Sequence, residues 1–307
     1  MDSHTLRVGW IGTGRMGFEL AGRIARADYD LAAWNRTRAK AEPLTEFGAT
    51  VVDTPAELAD RDVVFTMVST SKDLAQVIDQ LLADPDRAPR IVVDCSTVST
   101  EASAAARATL AKRGTEFLAS PVSGNGKVVK AGMLSLVSSG PRPVFDEVVD
   151  ILNVLGRHVT YAGEGEVARL VKIAHNLFLG VIIQNLAEIT LLAEKGGVKR
   201  SDFLDFINNS VMGSVFTKYK TPALVNLDFT PTFTSVLLRK DFDLGLAAAN
   251  ELGVPMPVVA AAREPVQAAI AQGRISEDFA VLIELLATQS GMTLVPENIA
   301  VDDGLSG

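Results

Sequence analysis

The 307-residue chain predicts an N-terminal α/β domain on a mainly parallel sheet, followed by an all-α C-terminal domain. Three observations support this. Short apolar runs alternate with Ala- and Leu-rich helical patterns through the first half, as in a parallel sheet covered on both faces. The first run enters a glycine cluster where a strand would meet a helix. Beyond Ala162-Gly163-Glu164-Gly165 the strand-like runs stop. Helical segments follow, with breaks expected near Gly196-Gly197, Thr221-Pro222, Gly253 and Gly273. The boundaries are an α/β domain at 1–163, a helical domain at 164–292 and a tail at 293–307. The tail is acidic and short of core residues, so an extended or mobile segment is expected there.

Taken in order, the strand-like runs are 6–11, 30–34, 62–67, 90–93 and 115–118, with helical patterns such as 71–83 and 99–113 between them. A run at 134–138, a Pro-capped helix near 143–154 and a run at 157–161 complete the first domain. Glu166 to Lys195 reads as one helix, about 45 Å long at 1.5 Å per residue. Its most apolar part, Ile173 to Ala193, contains His175, Asn176, Gln184, Asn185 and Glu188. A membrane span rarely carries so many polar groups, so a buried helix is expected.

A net charge of −8 argues against nucleic-acid or anionic-membrane partners, which attract basic faces. A single cysteine, Cys95, excludes an intrachain disulfide framework and fits a reducing compartment. MDSHT runs straight into the first strand with no signal-peptide pattern. A cytoplasmic protein is therefore expected. Three scattered histidines and one cysteine predict no metal site.

The glycine cluster lies in LRVGWIGTGRMGFEL, residues 6–20. Gly12 permits a tight turn, Gly14 lets the backbone approach a pyrophosphate, and Gly17 lets helix and strand pack closely. The helix N-terminus adds free amides and a positive dipole end. Gly12, Thr13, Gly14, Arg15, Met16 and Gly17 are thus candidate cofactor residues in a Rossmann-type domain. NAD-binding folds commonly hold the ribose 2′-hydroxyl with an acidic residue after the second strand. Here that strand ends in Asn35-Arg36-Thr37. No carboxylate stands there to repel a 2′-phosphate, and the planar fork of Arg36 suits one. NADP is the expected cofactor, with NAD as the alternative.

On the long helix, Val167, Leu170, Ala174, Leu177 and Val181 form one apolar stripe and are expected in the core. Lys172 and Asn176 are one turn apart on another stripe, continued by Leu179 and Ile183. Spacing leaves two readings of Lys172. It is a desolvated amine whose lowered pKa suits proton transfer, or a lysine snorkelling to the domain edge. His175 flanks this stripe as a candidate substrate-pocket residue.

Five segments in this order resemble the β-hydroxyacid dehydrogenase family, which includes 3-hydroxyisobutyrate dehydrogenases and tartronate semialdehyde and related short-chain semialdehyde reductases. They are GWIGTGRMG, VVDCSTVS, SPVSGNGKVVKAGMLSLVSSG, GEGEVARLVKIAHN and FTSVLLRKDFDLGLAAA, within a likeness spanning about residues 6 to 290. The resemblance implies that Lys172 is the general acid/base and Asn176 a substrate-binding residue. It implies that Ser123 and the Gly124 amide hold a substrate carboxylate, with Asn125 beside them. It further implies that Thr97 lines the nicotinamide pocket, that Met67 and Val68 pack along the cofactor, and that Lys240 closes over it.

The chain departs from the family pattern at three places: Gly124-Asn125 replaces a pair of glycines, His175 replaces an asparagine, and Ala119-Ser120 lacks the usual opening acidic residue. These leave the substrate open among short semialdehydes and hydroxy acids. Asn125, His175, Val211, Met212 and Phe233 are the candidates for shaping its pocket. The expected activity is an NADP-dependent oxidoreduction between a short 3-hydroxy carboxylic acid and its semialdehyde or keto form. The alternatives are an NADPH-dependent imine reductase and, from another class, a non-catalytic NADP(H)-binding regulatory protein. A surplus of apolar surface on the long helix, and the resemblance, imply a homodimer through the helical domain, with a tetramer as the alternative.

Overall fold

The computed structural model describes residues 6–305. The chain divides into two compact units, the first ending at Lys172 and the second beginning at Ile173.

The first unit runs β1 (Val8–Ile11), α1 (Arg15–Arg26), β2 (Leu31–Trp34), β3 (Thr50–Val51), β4 (Val63–Thr66), α2 (Ser71–Leu81) and β5 (Ile91–Asp94). It continues through α3 (Thr100–Ala111), β6 (Glu116–Ala119), β7 (Val122–Ser123), α4 (Gly126–Lys130), β8 (Ser135–Ser139), α5 (Arg142–Leu155) and β9 (His158–Gly163). The sheet order is β3-β2-β1-β4-β5-β6-β8-β7, with β9 paired to β8. Strands β1 to β6 pair in parallel, whereas β8 is antiparallel to both β6 and β7. β1, β4 and β5 are buried along their whole length, which is why they read as unbroken apolar runs. Their side chains pack with helices α2 and α3 in one cluster that includes Ile11, Val64, Val92, Leu74 and Leu110. Trp10 stacks on Phe65 at 5.5 Å between centroids. Two-residue strands β3 and β7 and three short 3-10 turns between 38 and 58 lie outside the expected runs, being too short for a periodic signal.

Helix α6 (Val167–Lys195) carries the chain from the first unit into the second. Its buried stripe is Ala168, Arg169, Lys172, Ile173, Asn176, Leu177, Gly180, Ile183, Gln184, Ala187, Thr190 and Leu191. The expected core stripe is therefore corrected: Val167, Leu170 and Ala174 are exposed, Val181 is half-buried, and only Leu177 is buried. An amphipathic reading sends apolar side chains inward. Here the buried face carries polar groups, some held by hydrogen bonds of their own. By length and composition alone α6 would suffice to cross a membrane, but half of its most apolar window is buried.

The second unit adds α7 (Arg200–Asn209), α8 (Val215–Asn226), α9 (Ser235–Glu251), α10 (Pro257–Ala271) and α11 (Leu282–Gln289). Its core gathers Leu177, Ile183, Leu204, Leu238, Phe242 and Phe279. Helices α6 and α9 meet through glycine. A Cβ on Gly180 would stand 2.5 Å from the Phe242 ring, and one on Gly245 would stand 2.5 Å from Leu177. One expectation is corrected. The break at Thr221-Pro222 is absent, because α8 runs through Pro222. Flanking side chains hold it there: Asn208 donates to Thr221 Oγ1 at 2.8 Å, and Lys220 donates to Asp278 at 2.6 Å. The tail is extended but not loose. Glu297 accepts from the Arg200 and Ser201 amides at 2.8 and 3.3 Å, and Asn226 donates to the Ile299 carbonyl at 2.8 Å.

Candidate active site

In the first unit, the chain leaves β1 toward β2 on one side and returns to β4 on the other. This is the switch point at which open α/β sheets bind ligands beyond their carboxyl ends. There Gly12 donates to the Trp34 carbonyl at 2.9 Å, and the Met67 amide donates to the Ile11 carbonyl at 2.9 Å. Gly12 has φ 98°, and a Cβ on it would lie 2.3 Å from the Met67 oxygen. A Cβ on Gly17 would lie 1.9 Å from the Gly12 oxygen, whereas Gly14 faces open space. α1 starts at Arg15 with no side-chain cap on its first amides. The Thr13 hydroxyl is buried without a hydrogen-bond partner. Uncapped amides, an orphaned hydroxyl and an open glycine face form a cradle that fits a dinucleotide pyrophosphate.

At the ribose end, Asn35 Oδ1 accepts from the Thr13 amide at 2.9 Å, and its Nδ2 donates to the Thr37 carbonyl at 2.9 Å. Asn35 therefore ties the loop after β2 to the glycine turn. Arg38 is committed elsewhere, to Asp53 at 2.5 Å and Glu42 at 3.4 Å. Arg36 is 78% exposed and lies 3.6 Å from Asp73, so it can reach a 2′-phosphate beside the loop. Arg15 is also exposed, and Met16 is half-buried.

Half-buried Met67, Val68 and Thr97 follow the ends of β4 and β5. The Val68 amide donates to Ser96 Oγ at 2.8 Å, and Ser96 Oγ donates to Asp94 at 2.7 Å. Cys95 is fully buried, and burial pushes its thiol far above its ordinary value. That removes it as a nucleophile. Ser123 ends β7, in register with Ser135 of β8. Gly124 has φ 141°, and a Cβ there would meet Val128 at 2.8 Å. Asn125 caps α4 by accepting from the Val128 amide at 3.1 Å, while its buried Nδ2 has no partner. The side chain that departs from the family's second glycine thus has a structural use and one unused donor. Lys172, 8% exposed, closes this unit.

In the second unit Asn176, one helical turn after Lys172, is 4% exposed. It donates to Asp241 Oδ2 at 2.5 Å, and its Oδ1 lies 3.0 Å from His175 Nδ1. Lys240 lies 3.6 Å from the other oxygen of Asp241. Asn176, His175, Lys240 and Asp241 are thereby gathered at one place. His175 is exposed. Phe233 packs edge-on against Phe279, and Val211 and Met212 are exposed on the turn before α8. Asp241 was not among the expected residues, since Arg239-Lys240-Asp241 reads as a solvated run. The signal was its spacing: Leu238, Asp241, Phe242 and Gly245 share the buried face of α9.

A family model described as the NAD-binding domain of 6-phosphogluconate dehydrogenase matches residues 7–163. One described as the NAD-binding domain of NADP-dependent 3-hydroxyisobutyrate dehydrogenase matches residues 163–286. Glyoxylate/succinic semialdehyde reductase 1 of Arabidopsis thaliana is 29% identical, over 91% of this chain and 98% of that protein. Among solved structures, a 3-hydroxyisobutyrate dehydrogenase from Salmonella typhimurium superposes with a TM-score of 0.83 at 24% identity, over 91% of this chain and 99% of that one. An imine reductase from Pseudomonas sp. shares the fold at a TM-score of 0.62 and 18% identity, over 92% and 99% of the two chains.

Proposed function

Because the chain belongs to the β-hydroxyacid dehydrogenase family of NAD(P)-dependent enzymes, we propose that it reduces a short carboxylate-bearing aldehyde to its hydroxy acid with NADPH, and runs the reverse oxidation with NADP⁺. The observation that carries this reading is a buried amine, Lys172, in the same unit as a glycine cradle fitted to a pyrophosphate. Gly12, Thr13, Gly14 and the first amides of α1 hold the dinucleotide, Asn35 fixes the loop, and Arg36 takes the 2′-phosphate that separates NADP from NAD. The bound nicotinamide supplies the hydride in reduction and accepts it in oxidation.

Each protein group has one task. Ser123 Oγ and the Gly124 amide donate to the substrate carboxylate, and the spare Nδ2 of Asn125 is a further donor on the same loop. Lys172 gives its ammonium proton to the carbonyl oxygen as that oxygen gains charge, and water returns the proton afterwards. In oxidation the neutral amine takes the hydroxyl proton. Asn176, one helical turn on, offers a further hydrogen-bond donor, with Asp241 fixing the orientation of its amide. The protein works as a cytoplasmic homodimer joined through its helical unit, where Phe178 and Leu192 present exposed apolar side chains.

The test is NADPH oxidation, with NADH in parallel, against glyoxylate, succinic semialdehyde, tartronate semialdehyde and cyclic imines, using wild type and Lys172→Ala. Aldehyde turnover that collapses in the variant supports the reading. Imine turnover that survives the substitution replaces it with the imine reductase reading, whose fold this chain shares.

A further inference from the structure

Arg169 is buried, 1% exposed, three residues before Lys172 on α6. Three residues of helix place the two side chains about 4.5 Å apart along the axis, on one face. A guanidinium with no acceptors would be among the costliest groups to bury, and this one has acceptors at the end of β5, in the loop after it and on α3. It donates to Asp94 Oδ2 at 2.5 Å, to the Ser96 carbonyl at 2.6 Å and to Ser103 Oγ at 3.0 Å. Asp94, fully buried at the end of β5, uses its other oxygen to accept from Thr66 at 2.6 Å and from Ser96 Oγ at 2.7 Å. Ser96 Oγ in turn accepts from the Val68 amide. The ends of β4 and β5, which bear Met67, Val68 and Thr97, are thus bonded through one arginine to the first turn of the helix that bears Lys172.

We infer that Arg169 is a positioning residue for the hydride-transfer step: it sets the register of Lys172 against the loops after β4 and β5. This rests on the reading of Lys172 as the acid/base. The start of α6 has other anchors. The Ala168 amide donates to Ser139 Oγ at 3.0 Å, and Arg107 donates to Glu166 at 2.7 Å and to the Gly165 carbonyl at 3.0 Å. Loss of Arg169 therefore leaves the helix attached but no longer keyed to β5. A lysine can reach Asp94 but cannot fork to the Ser96 carbonyl at the same time.

The experiment compares Arg169→Gln, Arg169→Lys and Lys172→Ala with wild type, using succinic semialdehyde and NADPH. For Arg169→Gln the NADPH dissociation constant, read by fluorescence quenching, stays within about threefold. Meanwhile kcat falls about 100-fold, the effect of an ångström-scale misplacement. The isotope effect on kcat from 4-deuterated NADPH rises as hydride transfer becomes limiting, and Arg169→Lys recovers about tenfold. A kcat within threefold of wild type, or an NADPH constant that rises in step with the loss of rate, overturns the proposal. If Arg169→Gln does not fold, Arg169→Met with Asp94→Asn removes both charges at similar volume. The same loss of kcat is expected there, and a wild-type rate overturns the proposal. Lys172→Ala separates the two claims. An inactive Lys172→Ala beside an active Arg169→Gln defeats only the positioning role, whereas an active Lys172→Ala defeats the acid/base reading itself.

Discussion

Replacing Arg36 by Ala should weaken NADPH binding and leave NADH binding nearly untouched. Arg36 is 78% exposed, with Asp73 3.6 Å away. An exposed pair of that kind contributes about 0.5 kcal/mol, so folding stability should hardly change. A phosphate group offers more, because charge-assisted hydrogen bonds are worth about 1.5–3 kcal/mol. Subtracting the Asp73 pair leaves about 1–2.5 kcal/mol, or roughly a 5- to 70-fold rise in the NADPH constant. Arg38 cannot substitute without giving up Asp53 and Glu42. The assay is fluorescence titration of NADPH and NADH at two salt concentrations, with Asp73→Asn as the converse variant. Asp73→Asn should tighten NADPH about twofold by releasing Arg36. A ratio of NADPH to NADH affinity that moves less than threefold in Arg36→Ala would refute the assignment of the 2′-phosphate to this residue.

Gly17→Ala places a carbon 1.9 Å from the Gly12 oxygen. It should cost about 1–3 kcal/mol in urea unfolding and raise the NADPH constant at least tenfold, and an unchanged titration would show that the cradle is not the cofactor's seat. In the helical unit, burial pushes the Asp278 carboxyl up, but the Lys220 charge and hydrogen bonds from Lys220, the Ala280 amide and Thr232 outweigh it and hold the carboxyl below its ordinary value. A depressed carboxylate stabilises the fold above its unfolded pKa, near 3.9, and that contribution is lost as pH falls through the folded value. Unfolding free energies measured from pH 6 downward should therefore fall less steeply in Asp278→Asn, and Lys220→Met should cost about 3–5 kcal/mol at pH 7 by stranding the carboxylate. Glu297→Ala removes the acceptor for the first amides of α7 and should cost about 1 kcal/mol. A wild-type Tm in that variant would mean that the tail contributes nothing to the helical unit.

Strands β1, β4 and β5 were legible because parallel, doubly covered strands must be apolar throughout, and every run from 62–67 to 157–161 has a strand within it or shifted by one or two residues, whereas two-residue β3 and β7 left no signal. The turn of the glycine cradle was legible because the constraints at Gly12 and Gly17 are steric and local. What the sequence hid was partnering. Asp241 sits in a charged run and Arg169 is itself a cation between apolar neighbours, yet each is buried against a partner far away in sequence. The same blindness reversed the faces of α6. Apolar periodicity pointed Val167, Leu170 and Ala174 inward, whereas the buried stripe contains Arg169, Lys172 and Asn176. Pro222 was read as a break because its lost amide is visible in the sequence, and the side-chain bonds around it are not.

The buried polar residues of α6 do not share one purpose, and their hydrogen bonds separate them. Arg169 spreads its guanidinium over Asp94 of β5, the Ser96 carbonyl and Ser103 of α3, three acceptors supplied by the first unit. A bond from each of its three nitrogens is what a buried structural or positioning group needs, since an unmet buried donor destabilises the fold. Farther along, Gln184 Oε1 and the Thr190 hydroxyl are buried without partners in the helical unit, and nothing in the structure explains their retention. Lys172 and Asn176 lie between them along the helix, one turn apart. A catalytic amine must be able to exchange its proton partner during turnover, so saturating it with fixed acceptors would defeat it. On the proposed acid/base role of Lys172, keying the helix through Arg169 fixes where that amine stands against the loops after β4 and β5. Mutating the arginine should therefore cost rate before it costs cofactor binding.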